Sequence, residues 1–178
     1  MPNILFETER LFVRHFHPDD LADFAALCAD PLVMRFVGDG QTLPRSEVAR
    51  WIQVCQDKYA TRGYGTSAVF EKATGSFVGY CGVVRAPGNA FDELIYVYHQ
   101  AAWGKGYATE AGRAMIDSVF GRSTLDYIYA TIHPDNAASI HVITKLGFRY
   151  DRQERNDDGT FTNFYVISRD KVGRTYGV

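Results

Sequence analysis

Nine residues, Trp103-Gly104-Lys105-Gly106-Tyr107-Ala108-Thr109-Glu110-Ala111, separate a predicted strand from a predicted helix. Glycine lacks a Cβ atom, so the backbone here can turn sharply and approach a ligand closely. Successive amide groups at the start of a helix, together with the helix dipole, form a site for phosphate oxygens. The segment is neither a P-loop nor a dinucleotide-binding fingerprint, because the required glycine spacing is absent. Its alternative interpretation is a tight turn between strand and helix.

The residues on either side of this segment predict a strand, helix, strand unit. The strand from Glu93 to Tyr98 precedes the segment, and an apolar strand from Tyr127 to Ile132 follows the helix. Apolar residues recur along the helix at helical intervals, at Ala108, Ala111, Met115, Ile116 and Val119. If the two strands are parallel, a right-handed crossover places the helix on one face of the sheet.

The whole chain predicts elements in the order β, α, α, β, β, β, α, β, α, β, β. The other strands are predicted at Leu11 to Phe16, Thr66 to Phe70, Phe77 to Val84, Phe148 to Arg155 and Phe161 to Ser168. The other helices are predicted from a cap at Asp19 or Asp20 to Cys28, from Pro44 to Arg62, and from Ala137 to Leu146. An irregular loop contains Gly38. We expect one α/β domain over residues 1–178, with a mixed, mostly antiparallel sheet flanked by helices.

Composition excludes several classes of protein. The 178 residues carry 19 Lys and Arg against 21 Asp and Glu, so the net charge is -2 and general binding to nucleic acid is not expected. No apolar run is long enough to span a membrane, and the beginning of the sequence lacks a signal-peptide pattern, which predicts a cytoplasmic protein. Three scattered cysteines, Cys28, Cys55 and Cys81, are expected to be reduced core thiols.

Several motifs accompany the glycine segment in a fixed order. They are Thr8-Glu9-Arg10-Leu11-Phe12-Val13-Arg14, Phe77-Val78-Gly79-Tyr80-Cys81-Gly82, Glu93-Leu94-Ile95-Tyr96-Val97-Tyr98, Asn136-Ala137-Ala138-Ser139 and Lys145-Leu146-Gly147-Phe148. This arrangement resembles the GNAT superfamily of acetyl-CoA-dependent N-acetyltransferases. Within that superfamily it is most similar to the branch that acetylates the N-termini of ribosomal proteins. The resemblance runs from about Thr8 to Ser168.

The resemblance implies which residues bind acetyl-CoA. The backbone of Tyr96, Val97 and Tyr98 would pair with the pantetheine arm like an additional strand. The pyrophosphate would be held by Trp103, Gly104, Lys105, Gly106, Tyr107, Ala108 and Thr109, and Asn136 and Ser139 would lie beside the pantetheine and thioester. The family's loop begins with Gln or Arg where this chain has Trp103, which places a side-chain contact in doubt more than binding by backbone amides.

The catalytic hypotheses concern a proton acceptor and a proton donor. Glu93 is the first candidate for the acceptor, directly or through water, and its alternative is a carboxylate paired with a neighbouring base. His133 and Asp135 are further candidates, although both are typical of turns. Many superfamily members use a tyrosine as donor at the position of Ile143, which excludes that donor here. The resemblance to this branch implies Ser139 in its place, with helix capping as the competing role of Ser139.

These observations predict an acetyltransferase that acts on a primary amine, with a protein or peptide N-terminus as the leading acceptor. Small amines remain open as acceptors, and another acyl group, such as succinyl, is a less favoured donor. A regulatory module that binds CoA without catalysis is the alternative from a different class. No metal site is expected, since His15 and His17 are joined by no other converging ligands. The resemblance also allows a homodimer.

Overall fold

Eight strands form one sheet in the computed structural model, which describes residues 3–85 and 88–172. The strands are β1 (Ile4–Glu7), β2 (Leu11–Arg14), β3 (Thr66–Glu71), β4 (Phe77–Val84), β5 (Glu93–Tyr98), β6 (Tyr127–Ile132), β7 (Arg149–Arg155) and β8 (Phe161–Ser168). The helices are α1 (Leu21–Cys28), α2 (Pro31–Met34), α3 (Arg45–Arg62), α4 (Tyr107–Arg122), α5 (Ala137–Lys145) and α6 (Arg169–Val172). The strand order is β1-β2-β3-β4-β5-β6-β8-β7.

Helices cover both faces of the sheet because side chains alternate along each strand. On one face, α1 and α3 pack on β4 and β3 around a core that includes Phe24, Ile52 and Tyr80. On the other face, α4 and α5 pack on β4, β5 and β6 around Leu94 and Met115. This arrangement confirms the predicted mixed α/β sheet flanked by helices, and all neighbouring strands except β5 and β6 are antiparallel.

The sheet opens between its two parallel strands. In the described ranges, β5 and β6 pair only at Glu93 and Tyr129, next to a 2.8 Å hydrogen bond from the Tyr129 amide to the Asp92 carbonyl. Toward Tyr98 and Ile132 no further pairs join the described residues of the two strands, which leaves a gap that we call the β5–β6 gap. The opposite edge of β5 pairs with β4 along its whole length.

Three local predictions differ from the structure. Strand β1 was not expected, because its four residues follow no long alternating pattern and pair only with the edge of β2. Helix α2 interrupts the predicted irregular loop, since the Asp30 carboxylate accepts hydrogen bonds from the amides of Leu32 and Val33. The cap of α1 is confirmed only in position: Asp20 is the N-cap residue, but it ends a short 3₁₀ turn, Pro18–Asp20, and its side chain makes no cap bond to the helix.

Other local expectations are confirmed. Cys28, Cys55 and Cys81 are buried free thiols, and burial raises the pKa of Cys28 to about 11 and that of Cys81 to about 12. Gly147 follows α5 with a φ of 92°, in the left-handed region that favours glycine. No helix in the described part of the chain has the length and apolar character needed to cross a membrane.

Candidate active site

The glycine segment presents a row of unpaired backbone donors. Gly104 and Gly106 have φ values of 74° and 80°, and Gly106 occupies the N-cap position of α4 without a side-chain cap. Within residues 3–85 and 88–172, the amides of residues 104–109 donate to no protein acceptor, whereas the Glu110 amide donates to the Gly106 carbonyl. Consecutive free amides at a helix N-terminus suit an anion with several oxygens, such as a diphosphate.

Thr8 and Arg10, which lie about 100 residues earlier in the sequence, hold this row of amides in place. The Arg10 guanidinium donates to the Lys105 carbonyl over 2.8 Å and to the Glu110 carboxylate over 2.7 Å. The Arg10 backbone amide and the Thr8 hydroxyl also donate to Glu110. Sequence reasoning missed the roles of Arg10 and Glu110, although both lie in quoted motifs, because residues 100 positions apart reveal no contact in one sequence.

Trp103 braces the same segment against the end of β5. Its indole Nε1 donates to the Tyr98 carbonyl over 2.8 Å, while about half of the residue surface stays exposed. The unusual residue at this position therefore contacts the protein's own backbone. Lys105 places its Nζ 3.8 Å from the Glu71 carboxylate, so its charge is shared with an acidic neighbour.

The backbone of β5 faces the gap at every second residue. Because the Asp92 carbonyl points toward β6 and the His99 amide donates to Val78 of β4, the amide and carbonyl of Tyr96 point into the gap. Those of Val97 point toward β4. The free edge is therefore suited to an extended ligand that pairs as a strand would, and Tyr96 is the central residue of that edge.

Two predicted site residues meet on the α4 and α5 face of the gap. The Tyr96 hydroxyl lies 2.7 Å from the Ser139 Oγ, and burial raises the pKa of Tyr96 above its ordinary value. The competing interpretation of Ser139 as helix cap is wrong, because Asn136 is the N-cap of α5 and its side chain accepts from the Ser139 amide. Ile143 is fully buried in the core.

Glu93 lies on the opposite face of the sheet, where β5 and β6 separate. It is 9% exposed, and its carboxylate accepts a 2.5 Å hydrogen bond from the Thr131 hydroxyl across the gap. Its partner in the described residues is thus a neutral hydroxyl, and burial raises the pKa of Glu93. His133 and Asp135 form a local turn after β6, in which His133 Nδ1 accepts from the Asp135 amide.

A buried ionic cluster holds the closed end of the gap. The Asp92 carboxylate, with a side chain only 1% exposed, accepts hydrogen bonds from Arg85 and from the Tyr64 hydroxyl, and Arg62 lies 3.8 Å away. The same residue's carbonyl receives the Tyr129 amide. These contacts fix the backbone immediately before Glu93.

The segment around α2 reaches both sides of the gap's open end. Asp30 accepts a 2.7 Å hydrogen bond from Gln100, which follows β5, and the Phe36 ring lies 5.4 Å from the His133 ring, which follows β6. A separate cavity of about 490 Å³ is lined by Asn3, Leu5, His15, Phe16, Gln56, Tyr59, Ala60, Gly63 and Arg122, none of them a predicted site residue. No group of three metal-ligating side chains occurs among the described residues.

A family comparison agrees with this geometry. The model of the "Acetyltransferase (GNAT) domain" matches residues 10–149, which include the glycine segment, the β5–β6 gap and α5. The chain belongs to the GNAT acetyltransferase family. It is therefore an acetyltransferase, and the similarity predicted from the motifs is confirmed.

Relatives of this GNAT chain carry little functional description. It is 33% identical over 153 residues to the uncharacterized protein YkkB of Bacillus subtilis, covering 83% of this chain and 87% of the relative. It is 27% identical over 167 residues to the uncharacterized N-acetyltransferase p20 of Bacillus licheniformis, covering 90% and 93% of the two chains.

Solved structures share the fold of this GNAT domain at low sequence identity. RimL, a ribosomal L7/L12 alpha-N-protein acetyltransferase in complex with coenzyme A, superposes with a TM-score of 0.81 at 16% identity, covering 94% of this chain and 99% of RimL. Spermidine N-acetyltransferase from Vibrio cholerae, in complex with CoA and spermine, gives 0.77 at 15% identity, covering 93% and 99%. At these identities the likeness shows the fold alone.

Proposed function

We propose that this GNAT chain transfers an acetyl group from acetyl-CoA to a primary amine, and that its leading acceptor is a protein or peptide N-terminus. The main observation in support is the β5–β6 gap, which runs from the Glu93 carboxylate toward the six free amides of residues 104–109. The extended pantetheine arm of acetyl-CoA would fit the unpaired edge of β5, and the diphosphate at its end would fit the free amides. RimL and the spermidine enzyme, which share the fold, are described with coenzyme A.

The residues present fit acetyl-CoA as donor. The amides of residues 104–109 would hold its pyrophosphate, and the Tyr96 carbonyl would accept a hydrogen bond from its pantetheine arm. Arg10 and Glu110 keep those amides in place. When bound, the donor supplies an activated thioester carbonyl. The Tyr96 N–H, rather than that of Val97, is the donor that can polarise this carbonyl, because it points into the gap.

Glu93 and Ser139 are the proposed acid-base residues. Glu93 accepts the proton that the amine loses, directly or through water, and its raised pKa makes its carboxylate a stronger base. Ser139 gives a proton to the departing sulfur. A terminal α-amine, with a pKa of about 8, is deprotonated at pH 7 for about 1.4 kcal/mol, against about 4.6 kcal/mol for a lysine amine at 10.4. The simple carboxylate of Glu93 therefore suits an α-amine better.

The acceptor would enter from the α1 and α3 face, beside α2 and the loop from Gly38 to Leu43. This is the face that exposes Glu93 to the gap. Small amines are the competing acceptors, because the spermidine enzyme shares the fold. A CoA-binding module without activity is the other competitor, since Ile143 stands where many family members have a tyrosine.

Two measurements test this proposal. Calorimetry with acetyl-CoA measures donor binding, and a thiol-release assay measures transfer to a panel of amines. The panel contains an alanine-initiated hexapeptide without lysine, the same peptide with a blocked N-terminus, spermidine and kanamycin. We expect micromolar donor binding and fastest release with the free hexapeptide. Binding without release for any amine would support the silent module, and fastest release with spermidine or kanamycin would support a small-amine enzyme.

A further inference from the structure

Ser139 does not stand alone beside the gap. Its Oγ lies 2.7 Å from the Tyr96 Oη, and the Tyr96 hydroxyl has the Ser139 carbonyl oxygen as a second, longer acceptor at 3.3 Å. The pair joins residues 43 positions apart, one on the free edge of β5 and one in the first turn of α5. A tyrosine hydroxyl on β5 thus contacts the predicted proton donor Ser139. The helix position at which many family members carry a tyrosine is occupied here by Ile143.

We propose that Tyr96 is the positioning residue for proton donation: its hydroxyl donates to the Ser139 Oγ, aims the Ser139 hydroxyl proton into the gap, and replaces that proton when it leaves. This inference rests on the proposed function. It adds a side-chain role to a residue otherwise expected to act through its backbone.

The 2.7 Å contact allows either hydroxyl to donate, and two considerations favour Tyr96. The Ser139 Oγ is a nearer acceptor for the Tyr96 proton than the Ser139 carbonyl at 3.3 Å. A phenol is a stronger acid than an aliphatic hydroxyl, so Tyr96 is the better donor of the pair. Once Tyr96 donates, the Ser139 proton is free to point elsewhere. A serine alone would become an alkoxide on giving up its proton, whereas the relay leaves the charge on a phenolate. Burial raises the pKa of Tyr96, but a phenol remains more acidic than an aliphatic hydroxyl.

The proton balance closes over one turnover. The amine nitrogen bonds to the thioester carbon, the C–S bond breaks, and the sulfur keeps the electron pair. Ser139 gives its proton to sulfur while Tyr96 gives its own proton to the Ser139 Oγ. Tyr96 then recovers a proton from water, and the proton lost by the amine leaves through Glu93 to water. Both side chains end as they began.

The decisive variant is Tyr96→Phe, which removes one oxygen and preserves the ring. With the panel amine that reacts fastest, we expect kcat to fall about tenfold while the KM for acetyl-CoA stays within twofold. Ser139→Ala should fall at least as far, and the double variant should be no slower than Ser139→Ala, because both changes interrupt one relay.

The fold offers a matched control. Tyr59 on α3 and Ser67 on β3 form a second tyrosine–serine pair, with 2.5 Å between their hydroxyl oxygens, outside the gap. Tyr59→Phe removes a comparable part-buried hydrogen bond, so it should lower the melting temperature about as much as Tyr96→Phe and leave kcat unchanged. A Tyr96→Phe enzyme with wild-type kcat, or losses that multiply in the double variant, would overturn the inference.

A second substitution keeps the test independent of folding. Incorporation of 3-fluorotyrosine at position 96 preserves shape and hydrogen bond but makes the phenol more acidic, so a relay predicts a change of kcat of at least twofold without a change in KM. An unchanged kcat would reject the relay. A wild-type chain that acetylates no amine of the panel would refute the proposed function and this inference together, whereas an active wild type with an indifferent Tyr96 refutes the inference alone.

Discussion

Glu93 and Tyr96 lie three residues apart on β5 and project their side chains to opposite faces of the sheet, toward Thr131 and Ser139 respectively. A ligand in the β5–β6 gap would therefore have the carboxylate on one side and the hydroxyl pair on the other. The amine can then lose its proton on one side of the ligand while the thiol gains a proton on the other side. Because the proton acceptor and the proton donor are separated, neither transfers its proton directly to the other.

Glu93→Gln should lower kcat at pH 7 about a hundredfold while the dissociation constant of acetyl-CoA stays within twofold, because the amide cannot accept a proton. In the wild type, burial raises the Glu93 pKa, so the acidic limb of the rate profile should lie above the ordinary value of about 4.3. The variant should lose that limb. A wild-type profile for Glu93→Gln would remove Glu93 from catalysis.

Glu93→Gln should raise the melting temperature at pH 7 although it lowers activity. A carboxyl whose pKa is raised on folding favours the folded state at low pH, and this contribution is lost as pH rises through the folded pKa. Glu93→Gln should therefore melt at a higher temperature than the wild type at pH 7, and the difference should shrink at pH 4. Equal melting temperatures at both pH values would show that burial of Glu93 carries no such penalty.

Gly106→Ala should weaken acetyl-CoA binding about tenfold, as measured by calorimetry. Its φ of 80° strains any residue with a Cβ by about 1–2 kcal/mol, and that Cβ would lie 3.4 Å from Arg10. Gly63→Ala is the matched control, since Gly63 has a φ of 75° at the C-terminal end of α3, where a Cβ would meet nothing within 4 Å. Both variants should lose stability, and only Gly106→Ala should lose affinity. Equal affinities would contradict the anion site.

Asp92→Asn should lower the free energy of unfolding by about 2 kcal/mol, because it leaves Arg85 and Arg62 without their buried partner. For a chain of this length the melting temperature should fall by about 6 °C. Asp151→Asn is the control: it breaks an exposed pair with Arg152 and should change the free energy by less than about 0.5 kcal/mol. Similar losses of free energy of unfolding in the two variants would show that the ionic cluster around Asp92 stabilises the fold no more than an exposed ion pair does.

Tyr98→Phe should raise the free energy of unfolding by about 1 kcal/mol in denaturant titrations. The Tyr98 hydroxyl is a buried polar atom without a hydrogen-bond partner in the described residues, so its removal relieves a desolvation penalty. Tyr107→Phe provides the contrast, since the Tyr107 hydroxyl donates to Glu71 and its loss should destabilise. A destabilised Tyr98→Phe would indicate a partner, such as water, for that hydroxyl.

Periodicity and turn residues predicted most of the fold. The seven predicted strands and the four predicted helices are present, because their apolar spacing matches the buried faces. Strand β1 escaped prediction because four residues at a sheet edge bury too little surface to leave a pattern. Helix α2 escaped because its stability comes from the local cap at Asp30.

The site was less readable than the fold. The glycine segment marked its anion-binding end through local chemistry alone. By contrast, the pairing of Glu93 with Thr131, of Tyr96 with Ser139, and of Arg10 with Glu110 depends on chain crossings of 38 to 100 residues. One sequence holds no record of which distant side chains face each other, so these partners emerge only from the folded backbone.

Among the described residues the two halves of the sheet share a single paired position, so they lack cross-strand hydrogen bonds that a bound molecule could supply. The free energy of unfolding should therefore rise with the fraction of chains that hold a ligand. A ligand at a hundred times its dissociation constant adds about 2.7 kcal/mol to that free energy. Chains without bound ligand should therefore unfold, and be cleaved by proteases, more readily than occupied chains.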